Sequence, residues 1–437
     1  MGTDTLGLVD AENGLVSRRI FIEQEIYDKE LHQIFARCWL FLCHESQIPQ
    51  PGDFFTTYMG EDPVLVVRDT AGQVRAFLNV CRHRGNRLCR ADSGNAASFT
   101  CAYHGWTYRN DGRLVGVPYF KEAYHNELNR EHWALVPVPQ LANYKGLLFA
   151  TFDAKAPPLR EYLGEMTWYL DAFFDRREGG IEVIGGMHKW VMPCNWKFPA
   201  ENFGGDSYHT SWSHLSAIQT GSGGDFRINP DPRGAMLSPG NGHCVIGVGP
   251  DTVADPPAPA ILAYEAAILP EMKKRLGPRF DRVKPVVGTV FPNFSMLRPT
   301  SRTIRVWHPR GPDRTEVWAW VFADKAAPAE VKEAIRLAGA RVFGPSGTFE
   351  QDDMDNWQGC TQTGRGVVAR RYALSYEMGL GHEHFDKDLG ALASEYCYSE
   401  SNHRGFYRRW AQLMAAESWT DVSPEKAHHA GPLPAGG

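Results

Sequence analysis

The sequence predicts an α+β protein of two domains, one of them small and all-β. Three observations carry this. At 437 residues the chain exceeds what one ordinary hydrophobic core holds. From Pro51 to Phe152 it runs in short apolar segments broken by turn residues. On either side of that stretch the apolar spacing turns helical, with further strands interleaved later in the chain.

In order, Ile26, Leu31, Ile34, Phe35 and Trp39 recur at helical spacing, so a helix is expected from about Ile20 to Phe41. The run Pro63 to Arg68, the turn Asp69 to Gly72 and the run Val74 to Phe77 form a hairpin. Asn110-Asp111-Gly112 between Tyr108 and Leu114 marks a second, because Asp-Gly accepts positive φ. Ala154 to Pro158 reads as a linker, followed by a helix through Tyr162, Met166, Tyr169, Leu170 and Phe173. Strands are expected around Gly186 to Pro193, then a helical stretch from Asn202 to Ser216. Gly221 to Pro259, rich in Gly, Pro and Asp, reads as a long irregular excursion. Strands return at Val286 to Leu297, Thr303 to His308 and Thr315 to Ala323. Helices follow from about Pro328 to Phe343 and from Gly347 to Gln362. Phe406, Trp410 and Leu413 make a closing amphipathic helix with Ser401 as its cap, and Pro424 to Gly437 reads as a frayed tail.

Hydrophobic residues at 43% and charged residues at 22% give the balance of a soluble globular protein. No apolar run reaches bilayer-spanning length; Gly146 to Phe152 is strand-sized. The first residues, with Asp4, Asp10 and Glu12, lack a signal peptide's basic start and apolar middle. Met1-Gly2 suggests myristoylation, but Leu6 stands where Ser or Thr is wanted. A net charge of −5 argues against a general nucleic-acid binder. Nine cysteines without a signal peptide fit a reducing, cytoplasmic setting where thiols remain free for metals. The 13 Trp and 23 Phe fit either a large core or an apolar ligand pocket.

The strongest chemical signal is Cys81-Arg82-His83, seventeen residues, then Cys101-Ala102-Tyr103-His104. Two thiolates and two imidazoles bind either a structural zinc or a [2Fe–2S] cluster of mixed ligation. A zinc finger groups Cys with Cys and His with His, whereas here each loop offers one of each. Two irons explain the alternation: Cys81 and Cys101 on one, His83 and His104 on the other. Gly85 and Gly105 let both loops turn tightly, and Tyr103 and Trp106 can shield the cluster from water. Cys38, Cys43, Cys89, Cys194, Cys244, Cys360 and Cys397 lack such spacing and read as buried small hydrophobes.

A second signal lies in Glu201 to His214, where His209 and His214 stand near a carboxylate, Asp206. Two histidines and a carboxylate suggest an open-sided iron site. Five residues on a regular helix separate side chains by about 140°, so joint ligation needs a π-bulge or local unwinding. The acidic run Glu350 to Asp355, in an expected helix flanked by Phe349 and Trp357, could complete the set; its bland reading is a solvated face.

Together these residues resemble the α subunits of aromatic ring-hydroxylating dioxygenases, the Rieske non-haem iron oxygenases of the naphthalene, biphenyl and polycyclic-hydrocarbon type. The likeness runs along nearly the whole chain, to the helix ending near Met414. It implies that Cys81, His83, Cys101 and His104 hold the Rieske cluster, and that His209, His214 and Asp353 hold a mononuclear Fe(II), with Asp355 as the alternative carboxylate. Asp206 then bridges to the cluster of a neighbouring subunit. Phe291-Pro292-Asn293 and His308-Pro309-Arg310-Gly311 also look like this family.

The resemblance further implies that an all-β Rieske domain, residues 38–157, is inserted in a catalytic domain of residues 1–37 and 158–437. That catalytic domain is an antiparallel sheet flanked by helices. Asn202, Phe203, Thr210, Phe343 and Phe349 fall at pocket positions, and Asn202-Phe203-Gly204-Gly205 resembles the naphthalene and polycyclic branch. No Arg is clearly placed for a carboxylate substrate, with Arg302 and Arg305 as the residues to watch. The implied partners are a small β subunit in an α₃β₃ hexamer, and a reductase, generally with a ferredoxin, delivering electrons from NADH. The implied reaction adds both atoms of O₂ to an arene, giving a cis-dihydrodiol. The rival readings are a Rieske monooxygenase or demethylase, a dioxygenase of an aromatic acid, a zinc-stabilised binding module, and a structural β subunit, which would lack the Cys-x-His motif.

Overall fold

The computed structural model describes residues 7–219, 234–249, 258–298 and 301–422. The chain divides into two compact units, Phe35–Ala156 and, around it in sequence, Met1–Ile34 with Pro157–Gly437.

The smaller unit is built of antiparallel strands. Four of them lie in the order Val74–Leu78, Asp62–Arg68, Asp53–Met59 and Ser93–Asn95. Two three-stranded sheets accompany them: Ser98–Thr100, Thr107–Arg109 and Leu114–Gly116 in one, Leu40–His44, Leu147–Thr151 and Gln140–Tyr144 in the other. Both hairpin turns have a physical cause. The Asp69 carboxylate accepts from the backbone N–H of Ala71 and Gln73, at 2.9 Å each, and Gly112 takes φ +91°. The core of this unit gathers Phe54, Leu65, Val67, Phe77, Trp106 and Tyr108 around Cys81 and Cys101.

In the larger unit nine described strands form one antiparallel sheet. Its order is Ile181–Met192, Thr315–Asp324, Thr303–Pro309, Phe294–Leu297, Lys284–Val290, His243–Val248, Ala235–Gly240, Ala391–Ser394 and Glu383–Asp386. Helices Pro259–Leu276 and Ala329–Phe343 bury Ile261, Ile268, Val331 and Ile335 in one apolar cluster with Val321. Helices Lys197–Gly205 and Ser401–Ala415 meet so closely that a Cβ on Gly205 would stand 2.5 Å from Asn402 Cβ. Asn402 Nδ2 fixes that meeting by donating to Gly204 O at 2.8 Å and to Val245 O at 3.0 Å. Among the described residues no helix is long and apolar enough to cross a membrane.

A buried ionic knot ties three distant parts of this unit. The Glu30 carboxylate accepts from Lys197 Nζ at 2.6 Å, Trp196 Nε1 at 2.8 Å and Trp410 Nε1 at 2.7 Å. Glu30 and Lys197 are both fully buried. Every donor aimed at the carboxylate is therefore used, as a buried charge requires.

His243 gives the fold a pH dependence. Its Nδ1 accepts from Phe291 N–H at 3.0 Å, and Nε2 lies 2.9 Å from Tyr162 O, which fits a neutral ring protonated on Nε2. Burial pushes this imidazole down to about 4 from its ordinary 6.5. Above the ordinary value neither state takes the proton; below it the unfolded chain does and the folded chain does not. Stability therefore drains as pH falls from 6.5 toward 4, by about 3 kcal/mol. Thermal melts across that window should show the loss, and His243→Gln should flatten it.

Several elements depart from the sequence expectations. The helix expected from Ile20 to Phe41 is α-helical only over Gln24–Glu30, continues as a wider π turn over Leu31–Phe35, and gives way to a strand at Leu40. That strand's apolar Leu40 and Phe41 pair with Ala150 and Phe149. The helix through Tyr162 to Phe173 is two helices, Leu159–Leu163 and Met166–Phe174, because Gly164 takes φ +52°. The strand around Gly186 starts earlier, at Ile181, and Val286 to Leu297 is two strands joined at Phe291-Pro292-Asn293.

The excursion from Gly221 to Pro259 contains a hairpin of the main sheet, Ala235–Gly240 and His243–Val248, whose residues are nearly all buried and so carry no alternation. Helix Pro259–Leu276 and strands Glu383–Asp386 and Ala391–Ser394 were not expected. Ser401 begins its helix inside the first turn, and Glu400 holds the cap position. Cys360 is exposed rather than buried, since its helix turns that face outward. Met1-Gly2, Asp4, Leu6 and the tail Pro424 to Gly437 lie outside the described residues.

Candidate metal centres

Two loops of the smaller unit are built alike. Cys81 N donates to Asn86 O at 2.8 Å and Gly85 N to Cys81 O at 3.0 Å. Cys101 N donates to Trp106 O at 2.8 Å and Gly105 N to Cys101 O at 2.9 Å. Gly85 and Gly105 both take φ +73°, a conformation that side-chain-bearing residues avoid. The repetition sets the two thiols side by side and brings the His83 and His104 rings to 4.6 Å between centroids.

The thiols are oriented by donors. Arg82 N–H donates to Tyr108 OH at 3.0 Å, which leaves the phenol proton for Cys81 Sγ at 3.5 Å. Asn86 Nδ2 donates to Cys101 Sγ at 3.6 Å. Burial opposes ionisation of Cys101, but the N–H of Tyr103 and the Asn86 amide outweigh it and lower its pKa. Burial, then the facing His104, push His83 down and keep it neutral. His83 Nδ1 is buried with no hydrogen-bond partner, as a nitrogen meant for a metal would be. Trp106, itself buried, lies flat on His83, 4.9 Å away, and covers one face of its ring. Tyr103 covers His104 but is itself 58% exposed, so only Trp106 shields from within. Tyr108 and Asn86 escaped the sequence reading, for nothing but their nearness to the cysteines marks them.

In the larger unit the stretch from Asn202 to Ser216 is not one helix. Helix Lys197–Gly205 stops, residues 206–208 run non-helical, and one short turn, Thr210–Ser213, separates His209 from His214. The helix breaks again at His214, which leaves αR geometry at φ −98° and ψ 12°, and both Nε2 atoms stand 3.3 Å from Asp353 Oδ1. Asp353 sits in helix Thr348–Gly364, whose buried face carries Phe349, Glu350, Asp353 and Trp357 at intervals of three and four. Donor atoms of His209, His214 and Asp353 lie within 4.8 Å of one another. Asp355 is exposed and stands outside this group.

The other ring nitrogens face carboxylates. His209 Nδ1 is 3.4 Å from Asp206 Oδ1, and His214 Nδ1 is 3.1 Å from Asp352 Oδ2. Asp206 also accepts from His209 N–H at 3.0 Å, and Asn202 Nδ2 lies 3.3 Å from His209 Nδ1. Burial opposes charge on Asp353, but the two histidines outweigh it and hold the carboxylate below its ordinary range. Two imidazoles anchored through Nδ1, a buried anion and a carboxylate oxygen without a hydrogen bond fit an iron of the 2-His-1-carboxylate kind. Asp352 was missed; its pairing with Asp353 in sequence was the available signal.

An aromatic wall leads away from these donors. Phe349 stacks on His214 at 4.2 Å, Phe343 stands edge-on to Phe349 at 5.8 Å, and Phe203 lies 6.1 Å from Phe343 and 5.2 Å from Trp307. Thr210 and Asn202 are half-buried at the histidine end. Arg305 is fully buried, ion-paired with Glu350. Burial raises Glu350 to about 7 against the pull of Arg305. Arg302 is fully buried too and paired with Glu265 and Asp324.

Comparison with known proteins agrees with this pair of centres. Residues 38–144 match the Rieske [2Fe–2S] domain, and residues 159–416 match the catalytic domain of the ring-hydroxylating α subunit. The chain belongs to the ring-hydroxylating dioxygenase α subunits. It is 43% identical over 427 residues to the biphenyl 2,3-dioxygenase α subunit of Rhodococcus jostii strain RHA1, covering 95% of this chain and 92% of that one. It is 36% identical to the large oxygenase component of naphthalene 1,2-dioxygenase from Pseudomonas putida, with 94% of each chain covered. A crystal structure of a naphthalene 1,2-dioxygenase variant bound to phenanthrene superposes with a TM-score of 0.88, at 34% identity and 95% coverage of both chains. As a ring-hydroxylating α subunit the chain carries a Rieske cluster domain and the catalytic domain of a non-haem iron oxygenase.

Proposed function

We propose that this α subunit adds both atoms of O₂ to one face of an aromatic hydrocarbon, polycyclic or biphenyl-like, to give a cis-dihydrodiol. The observation that carries the reading is the aromatic line from His214 through Phe349, Phe343 and Phe203 to Trp307, beside the three converging donors. A flat apolar substrate is held by such a wall through contact area, with few polar groups needed. Arg302 and Arg305 are each engaged with carboxylates of the chain, which speaks against an aromatic acid as substrate.

In this reading Cys81 and Cys101 hold one iron of the cluster, His83 and His104 the other, and His209, His214 and Asp353 hold Fe(II). Bound there, the mononuclear iron supplies dioxygen activation next to the substrate. Asp206 and Asp352 keep a proton on each Nδ1, so the Nε2 lone pairs point at the metal position. Phe203, Phe343 and Phe349, with Thr210 and Asn202 near the histidines, orient the arene and exclude water. Electrons come from NADH through a reductase, generally with a ferredoxin, and a small β subunit completes an α₃β₃ hexamer. Product analysis with isotopically labelled dioxygen and a panel of arenes tests the reaction. Two labelled oxygens in a cis-diol are expected; one labelled oxygen would make the chain a monooxygenase.

Asp206 has a second role in this reading. Its side chain is 27% exposed, so besides holding His209 it can reach His104 of the partner subunit. Asp206→Ala should then keep a reducible cluster yet lose most product in a single turnover, with Asp206→Asn less severe. A carboxylate that only favours a helix end contributes under about 1 kcal/mol, and its loss would lower stability and leave product intact.

A further inference from the structure

Arg305 rises from an interior strand of the sheet, Thr303–Pro309, into the layer behind the aromatic wall. One guanidinium nitrogen, Nη2, donates to Phe343 O at 2.8 Å; the other, Nη1, is ion-paired with Glu350. Phe343 ends helix Ala329–Phe343, so its carbonyl lacks an intrahelical partner and marks the negative end of that helix. Glu350 lies in the first turn of the next helix, Thr348–Gly364, one turn before Asp353. A single planar cation thus holds both sides of the turn 344–347, where Gly347 N donates to Gly344 O at 2.8 Å. The turn is tight, for a Cβ on Gly347 would stand 2.3 Å from Val342 O. The same guanidinium lies over Phe203 at 4.7 Å, Phe343 at 5.0 Å and Trp307 at 5.6 Å.

We infer that Arg305 is a positioning residue that fixes the separation of Phe343 from Phe349 and thereby which bond of a flat arene is presented to His209, His214 and Asp353. The inference rests on the reading of this site as an arene dioxygenase. Arg305 touches no substrate; it acts through the Phe343 carbonyl and the carboxylate of Glu350, the residue after Phe349. Two parallel N–H donors in a fixed fork are needed, and a lysine offers only a point charge, which satisfies Glu350 and releases Phe343 O.

The test compares Arg305→Lys and Arg305→Met in the full chain with its partner proteins. Readouts are iron content, cluster absorbance, the regioisomer ratio of dihydrodiols from phenanthrene, and hydrogen exchange over residues 343–350. Arg305→Lys should keep iron and cluster at wild-type levels, while the regioisomer ratio shifts by about threefold or more, a small part of what pocket contacts discriminate. Exchange at 343–350 should rise in the same variant, and Arg305→Met should exceed it in both. A wild-type ratio in Arg305→Lys overturns the inference, as does loss of iron or fold in both variants with residual product at the wild-type ratio. If the unaltered protein forms no dihydrodiol from any arene, the dioxygenase reading itself fails. Hydrogen exchange then decides the clamp alone, and unchanged exchange in both variants ends it.

Discussion

Asp353→Ala leaves a chain that folds, keeps its Rieske cluster and turns over no arene. The carboxylate is buried, and its Oδ1 is the atom on which His209 and His214 converge at 3.3 Å each. Without it the donor set is two imidazoles and no carboxylate, which hold a ferrous ion poorly and offer no anion to balance it. Changing a group that merely supports a ligand costs about 10–100-fold in metal affinity, so losing a ligand costs more than about 100-fold. Iron per chain should fall by the mononuclear equivalent, with the cluster spectrum intact and product below detection. His209→Ala and His214→Ala should do the same. Asp355→Ala is the control, exposed and expected to be active. Full activity in Asp353→Ala with a dead Asp355→Ala would move the carboxylate.

Replacing His83 by cysteine has an effect of similar size through a different quantity. Thiolate adds a negative charge where the chain places a neutral imidazole against Trp106. Mixed His₂Cys₂ clusters lie between about −150 and +300 mV, and all-thiolate ones near about −400 mV. A drop of some 200 mV or more is expected, and each ~59 mV is a tenfold change in a one-electron equilibrium. His83→Cys should therefore retain at least part of its iron yet resist reduction by its donor, with His104→Cys behaving alike. Redox titration by EPR checks this; an unchanged potential in both variants would return the site to another metal.

What the sequence made legible follows from how strictly chemistry fixes residue type. Cys81, His83, Cys101 and His104 could be read because an alternating Cys/His order has few physical explanations. The α+β class was readable because turns such as Asp111-Gly112 carry their own backbone logic, and Gly112 adopts the positive φ. Elements buried on all sides were not. His243–Val248 shows no period-two pattern because both faces are covered, and helix Pro259–Leu276 hides its Ile261, Tyr264, Ile268 and Met272 stripe behind prolines at 259 and 270. The donor triad was half legible. Residue chemistry supplied His209, His214 and the acidic run, and only the family resemblance singled out Asp353, since which carboxylate turns inward depends on a helix phase set by Phe349 and Trp357 packing. Arg305 was named only as a possible partner of a carboxylate substrate and Trp307 not at all, because both are residues of an interior strand whose importance lies in what they lean against.

The Glu30 knot has a consequence for synthesis. Glu30 and Trp410, which share a hydrogen bond, are 380 residues apart. At a translation rate of about 5–20 residues per second, Glu30 waits roughly 20–80 s for that donor to leave the ribosome. Throughout that time a carboxylate and a neighbouring apolar helix face lie open to solvent and to chaperones. Phe35–Ala156 is contiguous and meets all its own strand partners well before then. The order of completion thus runs from the cluster-bearing unit to the larger one, which is begun first and closes only when the chain is nearly complete.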